Sequence, residues 1–460
     1  MKIYFHIDKM ANTMKILVLG SGMVASPCVE YLTRNPKNEV TVACRTLSAA
    51  EVLASGFPRT KTLALDVSRT VELDAQVAAH DVVISLVPYV HHPAVIRSAI
   101  RGKTNVVTTS YISPAMRGLE DEVKKAGVAV VNEVGVDPGV DHLYAIKTID
   151  EVHAKGGKVK ELYSYCGGLP APECADNPLG FKFSWSPKGA ILSQRNSASF
   201  LYQGKQVNIP STELMSIAKP YHVVDGYSFV AYPNRNSVPF REFYNIPEAE
   251  TVIRGSLRYK GNPEFIQALA NLGWLDPEKR SWLKDGITWA EIQQKLVGAS
   301  SPDESSLVAH IKESYSFPDV AEADRIVSGM RQFGLFSDEP AAVKDGNVFD
   351  TLCHQLAQLL SFKPGERDLV MLQHKFVVEW EDGKKDTITS TLELLDDPER
   401  YSAMALSVGA TCGVATQLLL DGHPAFNQPG IHAPYRRDMC DPIREALARE
   451  GVVLVERVLC

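Results

Sequence analysis

A glycine-rich loop near the amino terminus predicts a dinucleotide-binding site. An apolar run at 15–19 ends at Gly20, and the pattern Gly-x-Gly-x-x-Ala continues through Gly22 to Ala25. Gly20 can take the tight turn, Gly22 lets the backbone approach a pyrophosphate, and Ala25 lets a helix pack closely on the sheet. The free amides at the start of that helix would then face the phosphates.

The residue after the second predicted strand favours NADP(H) over NAD. An NAD site usually carries Asp or Glu there to hold the ribose diol, whereas this chain has Arg45 and Thr46, with Ser48 close behind. A guanidinium and hydroxyls suit a 2′-phosphate. The alternative interpretation of Arg45 is an ordinary surface arginine.

The elements that must position this loop alternate between strands and helices. Short apolar runs are separated by segments with helical spacing, which predicts βαβ units and an α/β fold with a doubly wound parallel sheet. We predict strands at 15–19, 39–44, 62–66, 81–87, 105–109 and 128–132, with helices that include 70–79, 92–101 and 114–126.

Ligands of such sheets bind at the carboxyl ends of the strands, where polar residues recur in this sequence. From these ends we predict cofactor contacts by Gly20, Ser21, Gly22, Met23, Val24, Arg45, Thr46, Asp66, Val67, Ser85, Leu86, Val87, Thr108 and Thr109.

The rest of the chain changes pattern twice. Residues 158–260 carry short β-like runs typical of an antiparallel substrate domain, and 262–340 carry helical patterns typical of a small insert. Strands return at 368–381 and 387–395 around an Asp-Gly hairpin signal. The last 60 residues, with a helix at 402–420, are expected to pack on the first domain. The predicted domains are an N-terminal extension (1–14), a Rossmann domain (15–136 with about 400–460), a substrate-binding and dimerisation domain (137–261 with about 345–399) and a helical domain (262–344).

Composition excludes several classes of protein. The 460 residues carry a formal net charge of −7, which argues against nucleic acid as a general partner. No run reaches the roughly 18 uninterrupted apolar residues of a membrane span. The eight cysteines contain no Cys-x-x-Cys pair, so no metal site is predicted, and reduced thiols in a cytoplasmic protein fit best.

Motifs along the whole chain resemble fungal saccharopine reductases. They are Gly20-Ser21-Gly22, Ala43-Cys44-Arg45-Thr46, Ser85-Leu86-Val87-Pro88, Thr108-Thr109-Ser110-Tyr111, Val136-Asp137-Pro138-Gly139-Val140-Asp141-His142, Tyr165-Cys166-Gly167-Gly168-Leu169-Pro170, Asn177-Pro178-Leu179, Lys182-Phe183-Ser184-Trp185-Ser186 and Tyr232-Pro233-Asn234-Arg235.

The resemblance implies an NADP(H)-dependent oxidoreductase of lysine biosynthesis by the α-aminoadipate route. Such enzymes condense L-2-aminoadipate 6-semialdehyde with L-glutamate and reduce the imine to saccharopine. The resemblance also implies a variant Rossmann domain, a mixed α+β substrate domain that forms a homodimer, and a small all-α domain.

The same motifs supply the candidate site residues. The resemblance implies substrate contacts by Ser110, Asp137 and Trp185, and we also predict such contacts by Cys166, Asn234 and Arg235. Because they fall in the matching motifs, Tyr111, Asp137 and Cys166 are the predicted acid or base residues. Arg235 matches a carboxylate with its guanidinium fork, although a surface ion pair is the alternative. The alternatives for Asp137, Trp185 and Cys166 are a turn residue, core packing and a buried structural thiol. It also remains open that no single proton donor is essential.

Two histidines also lie in the matching stretches. His142 is a further acid or base candidate, with a cap on the helix that follows it as the alternative. His374 is expected to be a hydrogen-bonded core residue on a strand. Two other functions stay open from the sequence. One is a related NADP-dependent reductase of polyamine imines, whose cationic substrate would require more acidic residues. The other is a non-catalytic NADP(H) sensor, which would bind NADPH without oxidising it.

Overall fold

The computed structural model describes residues 13–459, and the chain divides into two compact units. Within the described residues, the first unit runs to Lys155 and includes Ala403–Leu454, and the second consists of Gly156–Ser402 and the strand that begins at Val455. The predicted N-terminal extension lies almost entirely outside the described residues.

The amino-terminal part of the first unit alternates strands with helices, as its apolar runs predict. Its elements are β1 (Met14–Leu19), α1 (Ala25–Thr33), β2 (Asn38–Cys44), α2 (Leu47–Ala54), β3 (Thr60–Ala64), α3 (Thr70–Ala78), β4 (Val82–Ser85), α4 (His92–Gly102), β5 (Asn105–Thr108), α5 (Pro114–Arg117), α6 (Glu120–Ala126), β6 (Ala129–Val131) and α7 (Val140–Ala154).

The second unit begins with a long strand and contains a run of helices between two groups of strands. Its elements are β7 (Lys158–Pro170), α8 (Pro187–Ser193), β8 (Ala198–Tyr202), β9 (Lys205–Ile209), β10 (Lys219–Pro220), β11 (Phe229–Pro233), α9 (Phe240–Phe243), β12 (Thr251–Tyr259), α10 (Asn262–Asn271), α11 (Trp289–Val297), α12 (Glu304–Ser314), α13 (Val320–Gln332), α14 (Val348–Leu359), β13 (Asp368–Glu379) and β14 (Lys385–Leu395).

The chain then returns to the first unit and ends in the second. The remaining elements are α15 (Ala403–Leu420), β15 (Gly430–His432), α16 (Arg437–Arg449) and β16 (Val455–Leu459).

The first unit is built on a parallel sheet of seven strands in the order β15-β6-β5-β4-β1-β2-β3. Its central strands are buried, as expected when helices cover both faces. Because all seven strands run the same way, their carboxyl ends meet at one edge. The predicted α/β fold with a doubly wound parallel sheet is confirmed.

Helix α15 forms part of the apolar interior of the first unit. Gly409 and Gly413 let it approach α1 so closely that a Cβ atom at Gly409 would lie 2.5 Å from the carbonyl oxygen of Val24. Among the described residues, α15 is the one helix long and apolar enough to cross a membrane, but 78% of its apolar window is buried inside the structure. A helix that is apolar all round is also typical of a protein core, and we interpret α15 in that way.

The second unit has a mixed sheet rather than the antiparallel one expected. The order of its main path is β10-β11-β12-β7-β13-β14-β16, and β12 runs parallel to β7. Strand β12 is buried along nearly its whole length, as is typical of a central strand, and it pairs antiparallel with β11 on its other side. The hairpin predicted at Asp382 and Gly383 joins β13 to β14 as expected.

Several boundaries differ from those predicted. The first unit extends through α7 to Lys155, beyond the predicted limit at 136. The helical segment shares one apolar core with the sheet of the second unit, because Phe265 and Trp289 belong to the same buried cluster as Tyr165. The last five described residues, β16, pair with β14 in the second unit instead of packing on the first. The predicted division into three domains stays a prediction.

Candidate functional site

The glycine loop lies at the carboxyl edge of the parallel sheet. Gly20 has a positive φ of 111°, and its amide donates a hydrogen bond to the carbonyl oxygen of Ala43 at 2.8 Å. A Cβ atom at Gly20 would lie 3.1 Å from the carbonyl oxygen of Leu86. The turn therefore requires glycine both for its backbone conformation and for its close approach to the segment that follows β4.

The residues around this loop fit an NADP-type dinucleotide. Gly22 is exposed, and a Cβ atom there would meet nothing within 4 Å, so the space in front of the loop is open. No side chain caps the amino terminus of α1, which leaves its amides available to phosphates. Arg45 is exposed beyond the end of β2, and its guanidinium makes no hydrogen bond or ion pair with the residues described.

Asp66 lies two residues after the end of β3, the strand that pairs with β2. Hydrogen bonds from the amide and hydroxyl of Ser68 hold the pKa of its carboxyl below the usual range, and the positive charge of Arg45 acts in the same direction. The remaining predicted cofactor residues lie at or just after the carboxyl ends of β1 to β5, and they are Ser21, Met23, Val24, Thr46, Val67, Ser85, Leu86, Val87, Thr108 and Thr109. The structure thus brings all predicted cofactor residues to one edge.

A buried histidine joins the hydroxyl groups at two of these strand ends. His92 is the first residue of α4 and is 1% exposed. Its Nδ1 lies 2.8 Å from Ser85 Oγ, and its Nε2 lies 2.9 Å from Ser110 Oγ and 3.2 Å from Thr108 Oγ1. Sequence reasoning placed Ser85, Thr108 and Ser110 in the site but missed His92.

Two candidate acid and base residues form a pair. The hydroxyl of Tyr111 donates a hydrogen bond of 2.5 Å to Asp137 Oδ1. Both side chains are partly buried, and Tyr111 follows Ser110 directly after β5. The carboxylate of Asp137 therefore contacts the other candidate directly, while its role in the site stays a prediction.

A buried carboxylate, Glu133, holds the backbone beside this pair. Glu133 is 2% exposed and accepts hydrogen bonds from the amide of Ile112, from His142 Nε2 and from the hydroxyl of Tyr435. Burial by itself raises the pKa of the Glu133 carboxyl, but these hydrogen bonds outweigh burial and hold the pKa below its ordinary value. Glu133 thus fixes the main chain of Ile112, the residue that follows Tyr111.

His142 does not cap the following helix, so the alternative considered for this acid or base candidate is wrong. It lies within the first turn of α7, and its imidazole faces Glu133 instead. The N-cap residue is Gly139, and Asp141 in the first turn accepts a hydrogen bond of 2.6 Å from the amide of Gly139 through its Oδ1. An acidic side chain fits this end of a helix better than a histidine does.

The second unit carries the other predicted substrate residues. Cys166 is buried in the middle of β7, opposite Leu372 of β13 and Ser256 of β12. The main-chain amide of Asn234, just after β11, donates to the carbonyl oxygen of Arg254 on β12. Cys166 and Asn234 therefore lie on opposite sides of β12.

Arg235 and Trp185 lie in loops of this unit. Arg235 is exposed and has a positive φ of 55°. Trp185 precedes α8 and is half-buried against the apolar core of the unit. His374 is buried on β13, which confirms its expected place in the core, while its expected hydrogen bonds stay a prediction. No group of three or more His, Cys, Asp or Glu side chains within residues 13–459 could hold a metal ion.

Three residues of these networks, His92, Glu133 and Tyr435, carried weak sequence signals or none. His92 stands in a His-His-Pro segment just after a strand end, where a polar residue opening a helix could have been noticed. Glu133 belongs to a strand end that the sequence identified, but its burial could not be predicted. Tyr435 lies about 300 residues away from Glu133, and no local pattern joins them.

Comparison with known proteins gives matches along nearly the whole chain. The family described as "Saccharopine dehydrogenase NADP binding domain" matches residues 16–131, and "Saccharopine dehydrogenase C-terminal domain" matches residues 135–452. The chain is 48% identical to the saccharopine dehydrogenase [NADP(+), L-glutamate-forming] of Schizosaccharomyces pombe, over 96% of this chain and 99% of that protein.

Solved structures agree with this similarity. The apo saccharopine dehydrogenase (L-Glu forming) from Saccharomyces cerevisiae aligns with a TM-score of 0.87 and 49% identity, over 97% of this chain and 100% of that one. The homospermidine synthase of Legionella pneumophila aligns with a TM-score of 0.54 at 10% identity, over 97% and 91%, which shows a shared fold alone.

Proposed function

This chain belongs to the saccharopine dehydrogenase family, and from that premise we propose that it condenses L-2-aminoadipate 6-semialdehyde with L-glutamate and reduces the imine to saccharopine with NADPH. This is the penultimate step of lysine biosynthesis by the α-aminoadipate route. The observation that carries the proposal is identity of about half the residues over almost the full length of both chains, not over the cofactor domain alone.

The first unit binds NADP(H) in this proposal. The amides of the glycine loop and of the start of α1 hold the pyrophosphate, and Arg45 with Thr46 holds the 2′-phosphate. Bound NADPH supplies the hydride that reduces the imine carbon. Arg45 supports this assignment, because its exposed guanidinium makes no hydrogen bond or ion pair with the described residues and is available to a ligand anion.

Tyr111 and Asp137 manage protons in the proposed mechanism. Imine formation from an amine and an aldehyde releases water, and a protonated imine accepts hydride better than a neutral one. The Tyr111 hydroxyl already donates to the Asp137 carboxylate, so the pair can hold a proton and pass it to a substrate nitrogen or oxygen. We assign Cys166 as a further proton-carrying candidate, with a structural thiol as its alternative.

Saccharopine carries three carboxylates, which require cationic or hydrogen-bonding partners. We propose that Arg235 clamps one carboxylate, that Ser110 and Asn234 donate to others, and that Trp185 contributes an apolar wall. Asp137 can also accept a hydrogen bond from the substrate ammonium. We further propose that the chain acts as a homodimer in the cytoplasm.

The test follows NADPH oxidation by the purified chain with the semialdehyde and different amines. We expect oxidation that requires glutamate and yields saccharopine, identified by mass spectrometry. Oxidation with a diamine but not with glutamate would favour the polyamine imine reductase. NADPH binding without oxidation under any condition would favour the sensor. Sedimentation of the same sample at about twice the mass of one chain would support the dimer.

A further inference from the structure

His92 lies where the carboxyl ends of two neighbouring parallel strands carry hydroxyl groups. Ser85 is the last residue of β4 and Thr108 is the last residue of β5, and Ser110 follows two residues later. The imidazole is buried between them and contacts all three hydroxyls through its two ring nitrogens. A single side chain therefore links predicted cofactor residues with a predicted substrate residue inside the first unit.

The imidazole is neutral at neutral pH. Burial, with a smaller contribution from nearby His91, lowers the pKa of His92 to about 4. A neutral imidazole has one N–H donor and one acceptor nitrogen, so it can order the hydroxyls around it. Because this imidazole is uncharged, it does not compete with the Ser110 hydroxyl for an anionic ligand.

One tautomer of His92 leaves the hydroxyl proton of Ser110 available. In that tautomer Ser85 donates to Nδ1, and the Nε2–H group donates to Ser110 Oγ, which are the two shorter contacts. The amide of Ser110 donates to Thr108 Oγ1 at 3.2 Å, which fixes the backbone of the same residue. With Ser110 Oγ accepting from His92, its own O–H can donate to a ligand oxygen.

We propose that His92 is a positioning residue that aims the Ser110 hydroxyl at a carboxylate of the amino-acid substrate. This inference rests on the proposed function. His92 itself contacts no reacting atom in it. It acts through Ser110, and it sets the apparent affinity for the amino-acid substrate rather than the rate of hydride transfer.

The test compares two amide replacements of His92. The amide nitrogen of glutamine can reach the position of Nε2, whereas the shorter asparagine can replace only Nδ1. We expect His92→Asn to raise the KM for glutamate about tenfold with a much smaller change in kcat, and His92→Gln to bring KM back toward the wild-type value. His91→Asn, at the neighbouring and more exposed histidine, is the matched control and should change neither constant.

A double-mutant cycle with Ser110→Ala separates positioning from general damage. If His92 acts through Ser110, His92→Asn should add little once the serine hydroxyl is gone. Additive effects on KM, or equal loss of kcat in the Asn and Gln variants, would overturn the inference. The wild-type chain is assayed beside the variants. An inactive wild type would count against the proposed function, whereas an active one with unchanged variants would count against His92 alone.

Discussion

At the scale of single residues, the site depends on side chains whose partners differ in kind. Arg45 is exposed and makes no hydrogen bond or ion pair with the described residues, as expected of a group that binds a ligand. Tyr111 and Asp137 instead contact each other at 2.5 Å. The first arrangement suits binding of an anion, and the second suits movement of a proton.

Replacing Arg45 should change the choice of cofactor. We expect Arg45→Asp to weaken NADPH binding by about 10- to 100-fold, since a charge-assisted contact is worth about 1.5–3 kcal/mol, and to weaken NADH binding much less. Fluorescence titration of both cofactors measures the effect, with Arg97→Asp on the exposed face of α4 as the control. Equal losses for NADPH and NADH would mean that Arg45 is structural.

Removing the Tyr111 hydroxyl should lower turnover. We expect Tyr111→Phe to reduce kcat by about 100-fold, which is the lower range for loss of a general acid or base, and to alter the pH dependence of kcat. Steady-state kinetics across pH give both quantities, and Tyr202→Phe, at a tyrosine 44% exposed in the second unit, is the control. An unchanged kcat would remove Tyr111 from the residues that carry a proton in the reaction.

At the scale of elements, the cofactor edge depends on close packing beneath it. Helix α1 begins just after the glycine loop, and α15 supports it from behind through Gly409. The segment after β6 depends instead on a buried polar network centred on Glu133. Each element can be tested by one substitution.

A methyl group at Gly409 should disturb the glycine loop from a distance. Because the added Cβ would lie 2.5 Å from Val24 and 3.1 Å from the amide of Cys28, α1 or α15 must shift. We expect Gly409→Ala to cost about 1–3 kcal/mol of unfolding free energy and to weaken NADPH binding. Gly56→Ala, where the nearest atom is 4.0 Å away, is the control for denaturation and binding. If the unfolding free energy and the NADPH affinity stay at their wild-type values, α1 and α15 accommodate the added methyl group without cost.

The Glu133 network should make stability depend on acid pH. The pKa of Glu133 is below its ordinary value of 4.5 in the folded chain, so its contribution is complete above that value and is lost as the pH falls through the folded pKa. We expect Glu133→Gln to lower stability at neutral pH by about 2 kcal/mol and the difference from wild type to shrink in acid. Melting temperatures across pH test this, with exposed Glu72→Gln as the control. A difference that stays constant with pH would contradict it.

At the scale of the whole molecule, the sequence predicts the parallel sheet well and the second unit less well. The apolar runs of β1, β2 and β5 give their positions within one or two residues, because a buried strand needs a continuous apolar segment. The helix predicted at 114–126 is divided between α5 and α6 at Gly118, a poor helix former. The parallel pairing of β12 with β7 joins segments far apart in sequence, and local patterns carry no signal for it.

The candidate site shows the same limit. Strand ends locate Ser85, Thr108 and Ser110, because parallel strands bring their carboxyl ends together. The sequence does not show that His92 joins them, since the contacts of this helix residue depend on how α4 packs beside the two strand ends. Similarly, Glu133 and Tyr435 meet only when the carboxyl-terminal segment returns to the first unit.

The central claim is that the chain interconverts saccharopine with glutamate and the semialdehyde using NADP(H). Its most direct test mixes the purified chain with saccharopine at alkaline pH, with NADP+ and NAD+ in parallel, and measures both the reduced cofactor and the glutamate released. We predict reduction that strongly prefers NADP+, with one glutamate released for each NADPH formed. No reduction with either cofactor, or reduction without release of glutamate, would contradict the claim.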